Sequence, residues 1–193
     1  MLAFPHVLRG NHDRYVTGER DDRVKAEAMA AVEWTVTQLD AAQVKSLEKL
    51  PDQMMLDDRF LLVHGSPSDK DEYILSTESI AANLKMMRGK YLGTDICFFG
   101  HTHIPMVVGG GKVLTSFKET TAVSLERLTP YLINVGAVGQ PRDRCPMASC
   151  GVFDASKWEI KIVRVPYDIA AAQKSIREAG LPERLALRLE GGT

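Results

Sequence analysis

The sequence predicts an α/β fold, because short apolar segments with the character of strands alternate with longer segments of helical periodicity. The strand pattern is clearest in residues 60–63 (FLLV) and 95–99 (DICFF), which are short, nearly continuous runs of apolar residues. Strands that are covered on both faces have this composition. Between them, residues 76–88 predict a helix that Gly89 closes, so the order is strand, helix, strand.

Two helices are predicted before the first of these strands. Residues 25–39 are rich in helix-forming residues, and their apolar residues recur at helical spacing. Asp40 is a suitable N-cap for a second, shorter helix, in which Leu47 and Leu50 lie on one face. Pro51 ends this helix, because proline cannot continue it.

Strand character predominates after residue 100. Three glycines at residues 109–111 separate MVV from KVL and predict a hairpin. The last segment, residues 168–189, is predicted to be helical, with a break near Gly180 and a new first turn at Pro182. Since no repeat, low-complexity tract or linker interrupts the chain, we expect a single domain over residues 1–193. Between the hairpin and the last helical segment, strands are predicted at residues 121–125, 131–135, 148–154 and 158–165.

The composition is that of a globular protein, with 45% of the 193 residues hydrophobic and 25% charged. Lys and Arg (24) balance Asp and Glu (25), so no overall basic field indicates nucleic acid or an anionic membrane as a partner. The sequence shows no secretory leader and no apolar run long enough to cross a bilayer. Its three cysteines form no C-x-x-C pair and cannot all pair with one another. We therefore expect a soluble, cytoplasmic protein without a membrane partner.

Four of the five histidines carry the functional signal. His12, His64, His101 and His103 each lie within or directly after a turn that follows a predicted apolar strand. In an open α/β sheet, that carboxyl edge is where loops converge on ligands. Imidazole suits zinc, iron and nickel, and the amide oxygen of Asn11 adds a harder ligand of the kind that manganese prefers. The alternative is a surface loop in which the histidines occur by coincidence.

Four motifs together resemble those of the calcineurin-like metallophosphoesterase superfamily, in particular its small bacterial phosphoesterases. The resemblance extends from about Val7 to the end of the chain. It implies a four-layer α-β-β-α sandwich and a pair of divalent metal ions that bind a phosphate ester and an attacking hydroxide. The motifs are GNHD (residues 10–13), VHGSP (63–67), GHTHIP (100–105) and NVGAVGQPRD (134–143).

The resemblance also assigns roles to residues of this chain. Asn11, His64 and His101 correspond to ligands of one metal ion, and His103 corresponds to a ligand of the other. His12 resembles the residue that stabilises the transition state or protonates the leaving oxygen, and Asp13 would orient its ring. Arg142 is a candidate for bidentate binding of a substrate phosphate, and a salt-bridged surface turn is its equally weighted alternative.

The sequence departs from the family pattern in one large respect. The family places Asp-x-His and Gly-Asp motifs upstream of GNHD, and neither motif occurs anywhere in this sequence. The resemblance therefore implies a sandwich truncated at its N-terminus, without the carboxylate ligands. Three imidazoles and one amide do not offset two dications about 4 Å apart, so we expect reduced metal occupancy. One ion such as zinc would bind weakly, and magnesium or manganese less well, although manganese is the metal that the complete family site suggests.

The same departure bears on the fold. In the family the missing strands are interior members of a sheet, so their loss would expose apolar surface and an unpaired strand edge. We therefore expect aggregation or a homo-oligomer formed through an exposed sheet edge.

Three functional hypotheses follow from these observations. The first is a metal-dependent phosphoesterase, impaired in the chain as given, that hydrolyses a phosphomonoester or phosphodiester of a small molecule or a phosphoprotein. The second is a catalytically inactive binding or regulatory module of the same fold. The third is a structural zinc-binding domain, which would hold zinc tightly without hydrolysing phosphate esters.

Overall fold

A computed structural model describes residues 6–19, 21 and 24–193 of the chain. Its first elements are helices: α1 (Asn11–Val16), α2 (Ala26–Gln38) and α3 (Ala41–Glu48). The two helices predicted in this region are confirmed as α2 and α3. Asp40 caps α3 as predicted, because its side chain accepts a hydrogen bond of 2.8 Å from the backbone N–H of Gln43.

The prediction that a strand precedes His12 is wrong for the described residues. Residues 6–10 form no strand, residues 1–5 lie outside the described part of the chain, and His12 lies within α1. The reason is local: the carboxylate of Asp13 accepts a hydrogen bond of 2.7 Å from the backbone N–H of Gly10. This capping contact starts a helix directly after Gly10.

The larger sheet has six strands and carries the site at one edge. Its strands are, in spatial order, β1 (Gln53–Leu56), β2 (Phe60–Val63), β3 (Ile96–Phe99), β7 (Tyr131–Asn134), β4 (Met106–Gly109) and β5 (Lys112–Leu114). Strands β2, β3 and β7 are parallel neighbours, so their carboxyl ends meet at the same edge. The predicted hairpin is confirmed as β4 and β5.

Strand β1 was not predicted from the sequence. It pairs antiparallel with β2 through a tight turn in which Asp57 (φ 51°) and Asp58 (φ 53°) adopt the left-handed conformation. Aspartate tolerates this conformation better than most residues. The strand itself, QMML, lacks the β-branched and aromatic residues that mark a strand, so its pairing with β2 decides its conformation.

The smaller sheet has three antiparallel strands, which confirm three of the predicted strands. They are β6 (Thr121–Ser124), β9 (Glu159–Val165) and β8 (Ala148–Asp154) in spatial order. One apolar cluster packs between the two sheets, and a second packs between the larger sheet and α4 (Thr77–Gly89). Helix α4, the six-stranded sheet and the three-stranded sheet are thus successive layers. Leu132 and Ile133 on β7 belong to the two different clusters, as the alternation of side chains along a strand requires.

The helix ends differ in detail from those predicted. Ser76 caps α4, but Gly89 is its last helical residue, and Lys90 follows in a right-handed conformation. The prediction of a glycine cap at Gly89 is therefore wrong. The closing segment forms α5 (Ile169–Glu178) and α6 (Glu183–Gly191), separated by Gly180 at φ 68° as predicted. Pro182 is the N-cap of α6 rather than a residue of its first turn.

An apolar cleft of about 360 Å³ opens between the two sheets near β1 and β2. The expected exposure of apolar surface and the association of copies through a sheet edge stay predictions. No helix in the described ranges is long and apolar enough to cross a membrane. The cleft is lined by Leu56, Phe60, Leu62, Phe98, Val135, Gly151, Phe153 and Ile160.

Candidate functional site

Three predicted ligands meet at the carboxyl edge of the larger sheet. His64 directly follows β2, His101 follows β3, and Asn11 is the first residue of α1. The Nε2 atom of His64 lies 2.8 Å from Oδ1 of Asn11 and 3.0 Å from Nδ1 of His101. These three atoms are close enough to bind one small cation together. The cation would replace the proton that lies between His64 Nε2 and its hydrogen-bond partners.

The imidazoles of this cluster are neutral at neutral pH. Burial of the ring, followed by the positive charge that His101 would carry, lowers the pKa of His64 to about 3. Burial likewise lowers the pKa of His101. Because only a neutral imidazole offers a lone pair, both rings are in the form that can bind a metal ion.

The GHTH loop holds its histidines in an uncommon backbone conformation. His101 and His103 both have φ of 60°, in the left-handed region that non-glycine residues seldom occupy. Asn134 supports this loop, because its Nδ2 donates to the carbonyl of Gly100 (2.7 Å) and to Oγ1 of Thr102 (3.0 Å). The surrounding hydrogen bonds thus maintain a strained conformation at the site.

The supporting role of Asn134 was missed in the sequence. Its Oδ1 accepts a hydrogen bond of 2.8 Å from the backbone N–H of Gly136, so the whole amide is used within the protein. Asn134 ends the apolar strand YLIN and is fully buried. A polar residue at the end of a strand that is otherwise apolar was the available signal, because a buried amide needs partners.

His103 lies beside the cluster with one ring nitrogen already occupied. Its Nδ1 donates to the backbone carbonyl of Gln140 at 2.7 Å, which leaves Nε2 as the nitrogen with a lone pair. Burial and the nearby charge of Arg142 lower the pKa of His103 to about 4. The positive charge that His103 would carry also lowers the pKa of His64.

His12 and Asp13 occupy the first turn of α1. His12 is exposed, and its pKa is lowered by desolvation and then by the guanidinium of Arg142. The carboxylate of Asp13 accepts the hydrogen bond from Gly10 that caps the helix. Asp13 also acts on His12 through its charge, which raises the pKa of the ring. Its proposed role in orienting the ring of His12 stays a prediction.

Arg142 projects its charge toward the histidines. Its backbone N–H donates to the carbonyl of His103 (3.1 Å), and its guanidinium bonds the neutral side chain of Gln140 through Nη2 at 2.9 Å. The charge of Arg142 lowers the pKa of His12, His101 and His103. Its hydrogen bonds to a neutral partner leave the positive charge of Arg142 available to an anion.

Comparison with known proteins decides the family. The family model for the calcineurin-like phosphoesterase superfamily domain matches residues 4–157. The chain belongs to the calcineurin-like phosphoesterase superfamily. Membership confirms the predicted family and supports a phosphoesterase function at the level of the family.

Two solved structures share the metallophosphoesterase fold. The crystal structure of a metallophosphoesterase from Sphaerobacter thermophilus has 36% sequence identity and a TM-score of 0.81, covering 95% of this chain and 75% of that one. The crystal structure of hypothetical protein PH1004 from Pyrococcus horikoshii OT3 has 18% identity and a TM-score of 0.76, with 97% and 73% covered. Their likeness confirms the predicted α/β sandwich.

A relative from Methanocaldococcus jannaschii, the uncharacterized protein MJ0912, is 32% identical over 188 residues. The match covers 93% of this chain and 72% of that protein. Its identity and coverage agree with membership of the calcineurin-like phosphoesterase superfamily.

Members of the superfamily generally bind divalent metals, and the donor set of this chain fits one ion better than two. Within residues 6–19, 21 and 24–193, no group of three or more His, Cys, Asp and Glu side chains converges as a metal site. The converging set consists of two imidazoles and one amide, all uncharged. One borderline ion can use these donors, whereas two adjacent dications would repel each other without carboxylates between them.

Proposed function

We propose that this chain is a metal-dependent phosphoesterase domain whose hydrolytic activity is impaired in the polypeptide as given. Asn11, His64 and His101 would hold a single divalent ion, and His103 would be a ligand of the second ion in a complete site. The observation that carries the proposal is that Oδ1 of Asn11 and Nδ1 of His101 both lie within 3.0 Å of His64 Nε2.

The donor set favours zinc over the harder metals. Neutral imidazoles suit zinc, iron and nickel, whereas manganese and magnesium prefer charged oxygen ligands. Manganese remains the metal that a complete pair in this family suggests. We therefore expect zinc at one ion per chain and a lower affinity for manganese.

The substrate in this proposal is a phosphomonoester or phosphodiester, carried by a small molecule or a phosphoprotein. Metal ions bound at such a site polarise the phosphoryl oxygens and activate the nucleophile. Arg142 would bind a phosphate oxygen, because its charge is directed to the site and its hydrogen bonds go to the neutral Gln140. His12 would stabilise the transition state or protonate the leaving oxygen. We place the reaction in the cytoplasm, in keeping with three cysteines that are free thiols.

The second candidate function is a binding or regulatory module that holds a metal ion or a phosphate ester without turnover. The observation that favours it is the absence of any carboxylate from the converging donor set. Without negative ligands, two dications lack the charge balance that a paired catalytic site needs. A structural zinc-binding domain would instead bind zinc tightly without hydrolysing phosphate esters.

Metal binding and hydrolysis can be measured separately on the same preparation. The protein is stripped with a chelator, titrated with zinc and with manganese by calorimetry, and assayed with p-nitrophenyl phosphate and bis-p-nitrophenyl phosphate. His64→Ala should lower zinc affinity at least about tenfold, because it removes the central donor. His6→Ala, at an exposed histidine outside the cluster, is the matched control.

The possible results of these measurements distinguish the functional hypotheses. Stoichiometric zinc with slow hydrolysis that His64→Ala abolishes supports the impaired phosphoesterase. Zinc and phosphate-ester binding without turnover supports the binding module. Two bound ions with rapid manganese-dependent turnover contradict the proposed impairment, and failure to bind any ion contradicts the proposed metal site.

A further inference from the structure

Arg14 is an unusual residue to find beside this cluster, because its side chain is completely buried. It lies three residues after Asn11, one turn along α1, and has 0% of its side chain exposed. Arginine is almost never fully buried unless it is paired, since removing its charge from water is costly. Its partners therefore show which parts of the chain are fixed to α1.

The direct partner of Arg14 is Asp71. The Nη2 atom of Arg14 donates to Oδ1 of Asp71. The other acidic neighbours are more distant: Nε lies 3.4 Å from Oε1 of Glu19, and Nη1 lies 4.0 Å from Oδ1 of Asp52. Among the described residues, neither Nε nor Nη1 has a hydrogen-bond partner. The contact with Asp71 thus determines where the guanidinium is fixed.

The segment that contains Asp71 also contacts the ring of His101. The ring of Tyr73 packs against His101 with centroids 4.0 Å apart and an interplanar angle of 46°. Desolvation lowers the pKa of His101, and the charge and backbone of Asp71 oppose that shift, which places Asp71 next to the same ring. The segment of Asp71 and Tyr73 therefore contacts His101, whose Nδ1 also lies 3.0 Å from Nε2 of His64.

We infer that Arg14 is a positioning residue of the metal site, which acts by fixing the segment around Asp71 against α1. Helix α1 carries Asn11, and the fixed segment packs against His101, so one buried ion pair aligns two of the three donors. The inference rests on the proposed metal-binding function of Asn11, His64 and His101. Loss of a group that orients metal-binding side chains usually weakens metal affinity by about 10- to 100-fold.

A purely structural role makes a different prediction. An ion pair that only stabilises the fold would lower the free energy of unfolding and leave the affinity of the folded protein for zinc unchanged. A suitable reference is the pair of Arg59 and Asp95, whose Nη2 and Oδ2 atoms are 2.7 Å apart. This pair lies at the amino ends of β2 and β3, the opposite end of the strands from the site.

The experiment compares Arg14→Met, Arg14→Lys and Asp71→Asn with Arg59→Met in the full chain. Zinc affinity is measured by competition with a chromogenic chelator, and unfolding is followed in parallel. We expect Arg14→Met and Asp71→Asn to bind zinc about 10- to 100-fold more weakly than the wild type. Arg14→Lys should recover part of the affinity, because it keeps a positive charge near Asp71. Arg59→Met should bind zinc within about twofold of the wild type.

A second measurement needs no metal. Long-range nitrogen–proton NMR correlations of the imidazoles report the tautomers of His64 and His101 in the metal-free protein. We expect Asp71→Asn, which keeps the shape of the side chain, to change the His101 signals even if Arg14→Met fails to fold. Wild-type zinc affinity in folded Arg14→Met or Asp71→Asn overturns the inference. A wild-type chain that binds no zinc contradicts the proposed function instead.

Discussion

Acidification is expected to destabilise the metal-free fold through two site histidines. The pKa is about 3 for His64 and about 4 for His103 in the folded chain, against an ordinary 6.5. Below pH 6.5 the unfolded chain therefore binds protons that the folded chain does not, so stability falls as the pH falls toward 4. A pH of 5.0 is 1.5 units below the pKa of 6.5 that each imidazole has in the unfolded chain. Keeping each ring neutral at that pH lowers the free energy of unfolding by about 2 kcal/mol per histidine. The two together cost about 4 kcal/mol relative to pH 7.5.

The assay is urea unfolding between pH 7.5 and 5.0 in the presence of a chelator. Trp158, which is buried between the sheets, provides the fluorescence signal. The carboxylates with lowered pKa values, such as Asp52 and Glu19, lose their contribution only below about pH 4.5, outside this range. The control is His103→Gln, which removes one of the two imidazoles and should reduce the loss of stability by about 2 kcal/mol.

A free energy of unfolding that stays constant from pH 7.5 to 5.0 would refute this reasoning. It would mean that both rings are protonated in the folded chain, and hence that they are solvated rather than desolvated.

Two further predictions concern residues that support the fold around the site. Asn134→Ala should lower the free energy of unfolding by about 2 to 3 kcal/mol, measured by urea unfolding, because it removes two hydrogen bonds that support the GHTH loop and takes away the side-chain acceptor of the Gly136 N–H. Zinc affinity should fall with it, and an unchanged affinity would show that Asn134 does not position His101. Gly109→Ala should lower the free energy of unfolding by about 2 kcal/mol or more. Gly109 has φ of 154°, and a Cβ added there would lie 2.4 Å from the ring of Tyr131. Gly139→Ala, where a Cβ meets nothing within 4 Å, should leave the thermal midpoint unchanged, and equal midpoints for both variants would contradict the steric argument.

The regular elements could be predicted where local chemistry determines them. The cap at Asp40, the glycine turn between β4 and β5 and the helical spacing in α2 all act within a few residues, and the structure has each of them. Strand β1 and helix α1 could not be found in this way. Strand β1 is defined by its pairing with β2, and α1 is too short to show a helical period.

Some residues of the candidate site could likewise be predicted from local sequence, and others could not. His64 and His101 could be predicted because each follows an apolar strand, and parallel neighbours bring such residues to one edge. The contributions of Asn134 and Arg14 could not be predicted. Each acts on the site through contacts with residues more than 30 positions away in the sequence, to Gly100 for one and Asp71 for the other.

The sequence by itself determined the family, the candidate donor side chains and the absence of the Asp-x-His and Gly-Asp patterns from residues 1–193, because these depend only on which residues are present and in what order. Only the tertiary structure decided that Asn11 and His101 each bring a side-chain atom within 3.0 Å of His64 Nε2 and that the imidazoles of His64 and His101 stay neutral. Convergence and desolvation depend on what surrounds a side chain in space. The contact of α1 with His64 through Asn11, and that of Tyr73 with His101, are part of those surroundings.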